Sequence, residues 1–184
     1  DARDPYTAGH AEQVRRYAVR LGEVLRLPAE RVEYIHYGAL LNDIGKIGIR
    51  NEKLNKPGKL TPEELAMFRT HPAKGKRILE PIPFMADLIP GALCHHEAWD
   101  GNGYPGALMG ENIPLIGRIV AIADSYDAMT SDRSYRKAMP HDIAMSEIDR
   151  CSGSQYDERL VEVFQAAIEE HRAKEISAGN EVLR

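Results

Sequence analysis

Residues 114–130, PLIGRIVAIADSYDAMT, decide the fold. Ile116, Ile119, Val120 and Ala123 recur three and four apart, the spacing of one helical face. Pro114 stands at the start, where a helix tolerates proline. Asp124, four residues after Val120, ends this apolar stripe in a carboxylate. A helix this apolar belongs inside the protein, so other elements must cover it.

The same period runs outward in both directions. Val14, Ala18, Leu21 and Leu25 form one stripe; Val32, Ile35 and Ala39 form another in a segment opened by Pro28. In LTPEELAMFRTH, Thr61 reads as an N-cap, Pro62 as the first helical residue, and Glu63 and Glu64 as first-turn acids. Leu88, Ala92 and His95 share a face. Ile143 and Ile148, then Leu160, Val161, Phe164 and Ile168, mark two later helices. Glycine-rich breaks fall at 56–59 (KPGK) and 100–106 (DGNGYPG). Period-two strand runs, internal repeats and low-complexity tracts are absent. The reading is an all-α, single helical bundle of about seven helices. Residues 1–172 form the domain, and 173–184 form a tail, a fraying helix or disorder. The chain begins at Asp1, and DARDPYT reads as the middle of a longer protein, so an upstream regulatory or sensor domain is expected.

Composition narrows the function. The 184 residues are 43% hydrophobic and 28% charged, a globular balance with enough chain for one core. No stretch approaches the roughly 20 continuous apolar residues of a membrane span. No secretory signal is seen, so a cytoplasmic setting with Cys94 and Cys151 as free thiols is expected. A net charge of −4 argues against long nucleic acid as a partner.

Polar groups interrupt the stripes at comparable places. His10 precedes Val14 by four residues on an inward face. Asn42 continues the face of Ile35 and Ala39, with Asp43 beside it. His71 stands at a helix end, and His95 and His96 follow Ala92 by three and four. Each has a plain alternative. A core histidine is usually just hydrogen-bonded, and Asp124 alone suits an arginine pair or a helix cap equally well. Together they form an imidazole–carboxylate set suited to a first-row metal such as iron, manganese, zinc or nickel. His36, His141 and His171 lack that context and read as surface or structural.

These residues carry a resemblance. DPYTAGH, ALLNDIGKIGI, LNKPGKLTPEE, HPAKGKRIL, CHHEAWDGNGYPGAL, GENIPLIGRIVAIADSYDAMTSDRSYRKAM and SQYDERLVEVF occur in the order of the HD-GYP domain, a subgroup of the HD phosphohydrolase superfamily. The match covers roughly residues 4–168. It implies a metal-dependent phosphodiesterase of bacterial signalling that hydrolyses a cyclic dinucleotide, chiefly cyclic di-GMP, to pGpG or GMP. Carried over position by position, it implies His10, Asp43, His71, His95, His96 and Asp124 as ligands of two divalent ions, iron or manganese in the first place. Asp43 bridges them. Lys46 contacts a phosphate, the loop of Gly103, Tyr104 and Pro105 meets the substrate, and Arg133 and Arg136, with Lys137 beside them, grip phosphates or guanine. Cyclic GMP-AMP is a rival substrate. A homodimer and a signalling-protein partner are compatible with this reading.

Two positions depart from the pattern. Asn42 stands where the resemblance has the histidine that gives the family its name, and an amide oxygen is a weaker ligand than imidazole. Tyr6 stands where some members carry a glutamate for a third metal, which favours two metals. Loss of the histidine also allows a second reading, a domain that binds a cyclic dinucleotide or partner without turnover. Other HD proteins suggest a third, hydrolysis of nucleoside mono- or triphosphates, which the GYP loop disfavours.

Overall fold

The computed structural model describes residues 9–49, 60–132 and 137–182, with side chains at all of these except 171 and 174–182. Tyr6, the 56–59 break, Arg133, Arg136 and the side chain of His171 lie outside them.

The described residues form helices α1 (His10–Val24), α2 (Ala29–Leu40), α3 (Pro62–Phe68), α4 (His71–Leu79), α5 (Ile89–Cys94), α6 (Leu115–Thr130), α7 (His141–Arg150) and α8 (Glu158–Val182). Single 3-10 turns cover Ile44–Gly48, Pro83–Leu88 and Gly110–Asn112. No strand occurs among these residues, only an isolated bridge between Ser152 and Tyr156. The all-helical expectation holds.

Helix α6 is the axis. Ile119, Val120, Ile122 and Ala123 are fully buried, and α1, α2, α5, α7 and α8 pack against this helix. The anticipated stripes line the shared core: Val14, Ala18 and Leu21 from α1, Ile35 and Ala39 from α2, and Leu160, Val161, Phe164 and Ile168 from α8. Burial of such stripes, at about 25 cal/mol per Å² of apolar surface, is what makes short helices stable here. Leu25 and Val32 are only half-buried at the stripe ends.

Ile143 and Ile148 both fall within α7, the helix they mark; Ile143 is 53% exposed, while Ala144, Met145 and Ile148 form the inward face. Five residues separate Ile143 from Ile148, and that spacing puts them on different faces.

The helix ends follow the sequence signals. Thr61 Oγ1 accepts from Glu64 N (3.3 Å), and Glu64 Oε2 accepts from Thr61 N (2.9 Å), a reciprocal cap. Pro28 and Pro114 are the N-caps of α2 and α6. Helix α8 continues past Ala173 to Val182. Where α2 crosses α5, a Cβ on Gly91 would stand 2.9 Å from Gly38 Cα, so the backbones touch and α5 is held against the core. His141 lies between Tyr126 Oη (2.9 Å) and Glu169 Oε1 (2.9 Å), a structural role as anticipated. His36 Nδ1 is 3.4 Å from an Arg15 guanidinium nitrogen. Cys94 and Cys151 are both free. No helix of the described residues is long and apolar enough to cross a membrane.

Candidate metal centre

The polar interruptions meet beside the C-terminal half of α6, at Asp124. His10 is the first residue of α1 and 8% exposed. Its Nε2 is 3.0 Å from Asp124 Oδ1 on α6 and 3.9 Å from Asp43 Oδ2. Asp43 leads into the Ile44–Gly48 turn, which lies directly on the start of α4. A Cβ on Gly45 would be 1.9 Å from the His71 carbonyl oxygen, so only glycine permits that approach. Asp43 therefore reaches the α4 histidine: Oδ1 is 3.2 Å from His71 Nε2 and 3.9 Å from His95 Nε2. Its other oxygen accepts from Lys46 Nζ at 2.5 Å.

His95 and His96 follow the last turn of α5. His71 Nε2 is 3.2 Å from His95 Nε2, and the ring centres of His95 and His96 are 4.2 Å apart. One nitrogen from each of His71, His95 and His96 lies within 4.8 Å of the others, so these three could hold a metal ion. All six positions singled out in the sequence thus belong to one cluster drawn from five segments of chain.

Its electrostatics divide it in two. On the Asp43 side, burial disfavours charge on His95 and His96. Burial pushes His95 below its ordinary range, and burial with the neighbouring His95 takes His96 down to about 3. Burial opposes the charge of Asp43, but Lys46, then His71 and His95, outweigh it and hold the carboxyl well below the usual range. On the other side, burial disfavours a charged His10, yet hydrogen bonds to Asp124 and Asp127 raise it to about 9. Asp124 is likewise penalised by burial and lowered to about 2 by His10.

The residues fit a cation. His71 Nδ1 stands 2.7 Å from the Phe68 carbonyl, so that nitrogen donates and Nε2 presents a lone pair. That lone pair faces His95 Nε2, whose role depends on its tautomer, and an anionic Asp43 oxygen, which cannot donate to it. Converging lone pairs in a buried site are costly unless a positive charge lies between them. Asn42 fits less well. It is fully buried, and neither its amide oxygen nor its nitrogen has a hydrogen-bond partner.

The glycine-rich loop forms the wall beside His96. Tyr104 stacks on the His96 ring, centres 4.8 Å apart and planes 16° apart. The Tyr104–Pro105 peptide is cis. At Gly103 a Cβ would be 2.1 Å from Ala98 N, so the loop folds back onto its own start. Glu97, 4% exposed, holds it there: Oε1 accepts from Gly106 N (2.6 Å) and Oε2 from Leu108 N (2.9 Å). Arg69, just after α3, places its guanidinium 5.2 Å from the Tyr104 ring centre. Lys137 is exposed and pairs with Asp132 at 3.3 Å. Sequence reasoning passed over Glu97, Arg69 and Asp127. Asp127 had a signal in its three-residue spacing from Asp124; Glu97 and Arg69 act through a loop whose path no periodicity reveals.

An all-α bundle that gathers imidazoles and carboxylates from separate helices beside a lysine fits a metal-binding class of helical domain. The family model described as HD domain matches residues 1–160, and the chain belongs to that family. The HD-GYP resemblance drawn from the motifs is borne out with it. HD domain phosphohydrolases are metal-dependent. The chain is 44% identical over 166 residues to a cyclic di-GMP phosphodiesterase of Thermotoga maritima, covering 88% of this chain and 45% of that protein. It is 42% identical over 147 residues to 3′3′-cGAMP-specific phosphodiesterase 3 of Vibrio cholerae, covering 79% and 32%. A crystal structure of a cyclic GMP-AMP-specific phosphodiesterase of Vibrio cholerae superposes with a TM-score of 0.68 at 22% identity, over 89% of this chain and 44% of that one. The chain thus spans less than half the length of these proteins.

Proposed function

We propose that this domain hydrolyses a phosphodiester bond of a cyclic dinucleotide, cyclic di-GMP first, giving pGpG and onward GMP, as part of bacterial second-messenger signalling in the cytoplasm. The observation that carries the reading is the convergence of His71 and His95 Nε2 atoms, 3.2 Å apart, on Asp43 Oδ1. His71, His95, His96 and Asp43 would hold one divalent ion; His10, Asp43 and Asp124 would hold a second. Iron or manganese suits this donor set, with zinc and nickel as substitutes. Bound there, the ions supply Lewis acidity at phosphorus and a water of lowered pKa.

The residues divide the remaining work. Lys46, half-exposed beside Asp43, offers its ammonium to charge gathering on the phosphoryl oxygens. Water's oxygen joins phosphorus as the 3′ oxygen departs and gains a proton. Tyr104, stacked on His96, sets one wall of the substrate site. Arg133 and Arg136 would pair with phosphates or guanine. The negative overall charge favours a small anionic ligand over a polymer.

One observation favours a second reading. Asn42 is buried with both amide atoms unpartnered where an imidazole would complete the His10 half. A weak second site would leave a binding module that signals without turnover. The test is to load the chain and Asn42→His with manganese and follow cyclic di-GMP and 3′3′-cyclic GMP-AMP by chromatography. Cyclic di-GMP cleavage by both proteins supports the proposal. Cleavage after the reversion alone supports the binding module. Absence of cleavage from both ends the enzymatic reading.

A further inference from the structure

Asp127 is a buried carboxylate that the motif reading leaves without a role. It lies three residues after Asp124 on α6, so both acids face the same side, with the His10 ring between them. His10 Nδ1 is 2.5 Å from Asp127 Oδ2, and Nε2 is 3.0 Å from Asp124 Oδ1. The two acids differ in their surroundings. The Asp127 side chain is 2% exposed, and its second oxygen accepts from Ser131 Oγ at 3.1 Å. Both Asp127 oxygens are therefore engaged, on the Nδ1 side of the ring. Asp124 is 18% exposed and shares the Nε2 side with Asp43. A histidine offers one nitrogen to a cation when the other keeps its proton, and a carboxylate on the second nitrogen fixes both that proton and the ring plane.

We propose that Asp127 is a positioning residue that locks His10 with Nδ1 protonated and Nε2 facing Asp43 and Asp124, so that a cation at this half depends on the Ser131–Asp127–His10 chain. His10 is the sole imidazole at this half among the described residues, since the neighbouring α2 end supplies Asn42, so its orientation has no substitute there. The inference rests on the proposed function only in that a divalent cation binds; it is independent of the substrate.

The test uses zinc(II), which is diamagnetic, on the metal-free chain, Asp127→Asn, Asp127→Ala and Ser131→Ala. Calorimetric titration gives affinities, and ¹⁵N-histidine spectra of the zinc-loaded proteins give the His10 tautomer. The wild-type chain should show two binding events, with His10 protonated at Nδ1. Asp127→Asn should weaken one event about 10- to 100-fold. The event at His71, His95 and His96 should be unchanged. Ser131→Ala, which leaves the buried carboxylate in place, should weaken the same event to a smaller degree and covers the case in which Asp127→Ala does not fold. Unchanged affinities in all variants, or His10 protonated at Nε2, overturns the inference while leaving the proposed function standing. A wild-type chain that binds no zinc, manganese or iron overturns both.

Discussion

Glu97→Gln offers the sharpest probe of how the GYP loop is built. The glutamate is 4% exposed and spends one oxygen on Gly106 N at 2.6 Å and the other on Leu108 N at 2.9 Å. Hydrogen bonds to an ionised acceptor contribute about 1.5–3 kcal/mol each, roughly twice a neutral one. Glutamine keeps one acceptor and turns an N–H₂ toward the second backbone N–H, two donors face to face. The loss should be about 2–4 kcal/mol, one weakened bond plus one stranded donor. Urea unfolding of the metal-free chain reads this directly, with a lower midpoint and an unchanged slope. The loop carries Tyr104 against His96, so KM for cyclic di-GMP should rise more than kcat falls. A destabilisation below about 0.5 kcal/mol, within the range of ordinary surface changes, would refute the clamp. So would a large destabilisation that leaves KM untouched, because Tyr104 would then not depend on it.

Three further outcomes follow from the same geometry. In the metal-free protein His10 is raised from 6.5 to about 9, so its protonated form stabilises the fold fully below pH 6.5, and that stability declines as pH rises toward 9. The amount is about 3 kcal/mol at most, from about 1.4 kcal/mol per unit, and His10→Gln should flatten the profile in urea melts at pH 6 and pH 9.5. Burial raises the Cys94 thiol to about 11, so at pH 8 roughly one molecule in a thousand carries the thiolate; half-buried Cys151 should react with a thiol reagent first, and Cys94 only on unfolding. Gly45→Ala should cost more than about 3 kcal/mol or misplace the turn, since its Cβ would lie 1.9 Å from the His71 carbonyl, and metal binding should fall with it.

Much of this was legible in the residues alone. The α6 stripe, the Thr61 cap and the proline starts of α2 and α6 all form as their spacing and chemistry dictate, because each is a local rule. His10, His95, His96 and Asp124 stood out at the ends of apolar stripes, Asp43 beside Asn42 and His71 at a helix end, and the resemblance joined the six. Their pairing was not legible. His10 meets Asp127 across 117 residues, a contact set by how α1 packs on α6. Glu97 could not be told from a surface acid, because its partners are backbone N–H groups of a loop bent by its own glycines. Ile143 and Ile148 marked α7, but which face turns inward, that of Ala144, Met145 and Ile148, is decided by how the helix packs.

Everything functional depends on a cation held where His71, His95, His96 and Asp43 converge. Equilibrium dialysis of the metal-free chain against manganese(II), with elemental analysis, measures it directly beside His71→Ala and His95→Ala. The account predicts at least one ion retained per wild-type chain and loss of the tightest-held ion in each variant, with folding intact by circular dichroism. Equal retention by wild type and both variants, or none by any of them, contradicts it.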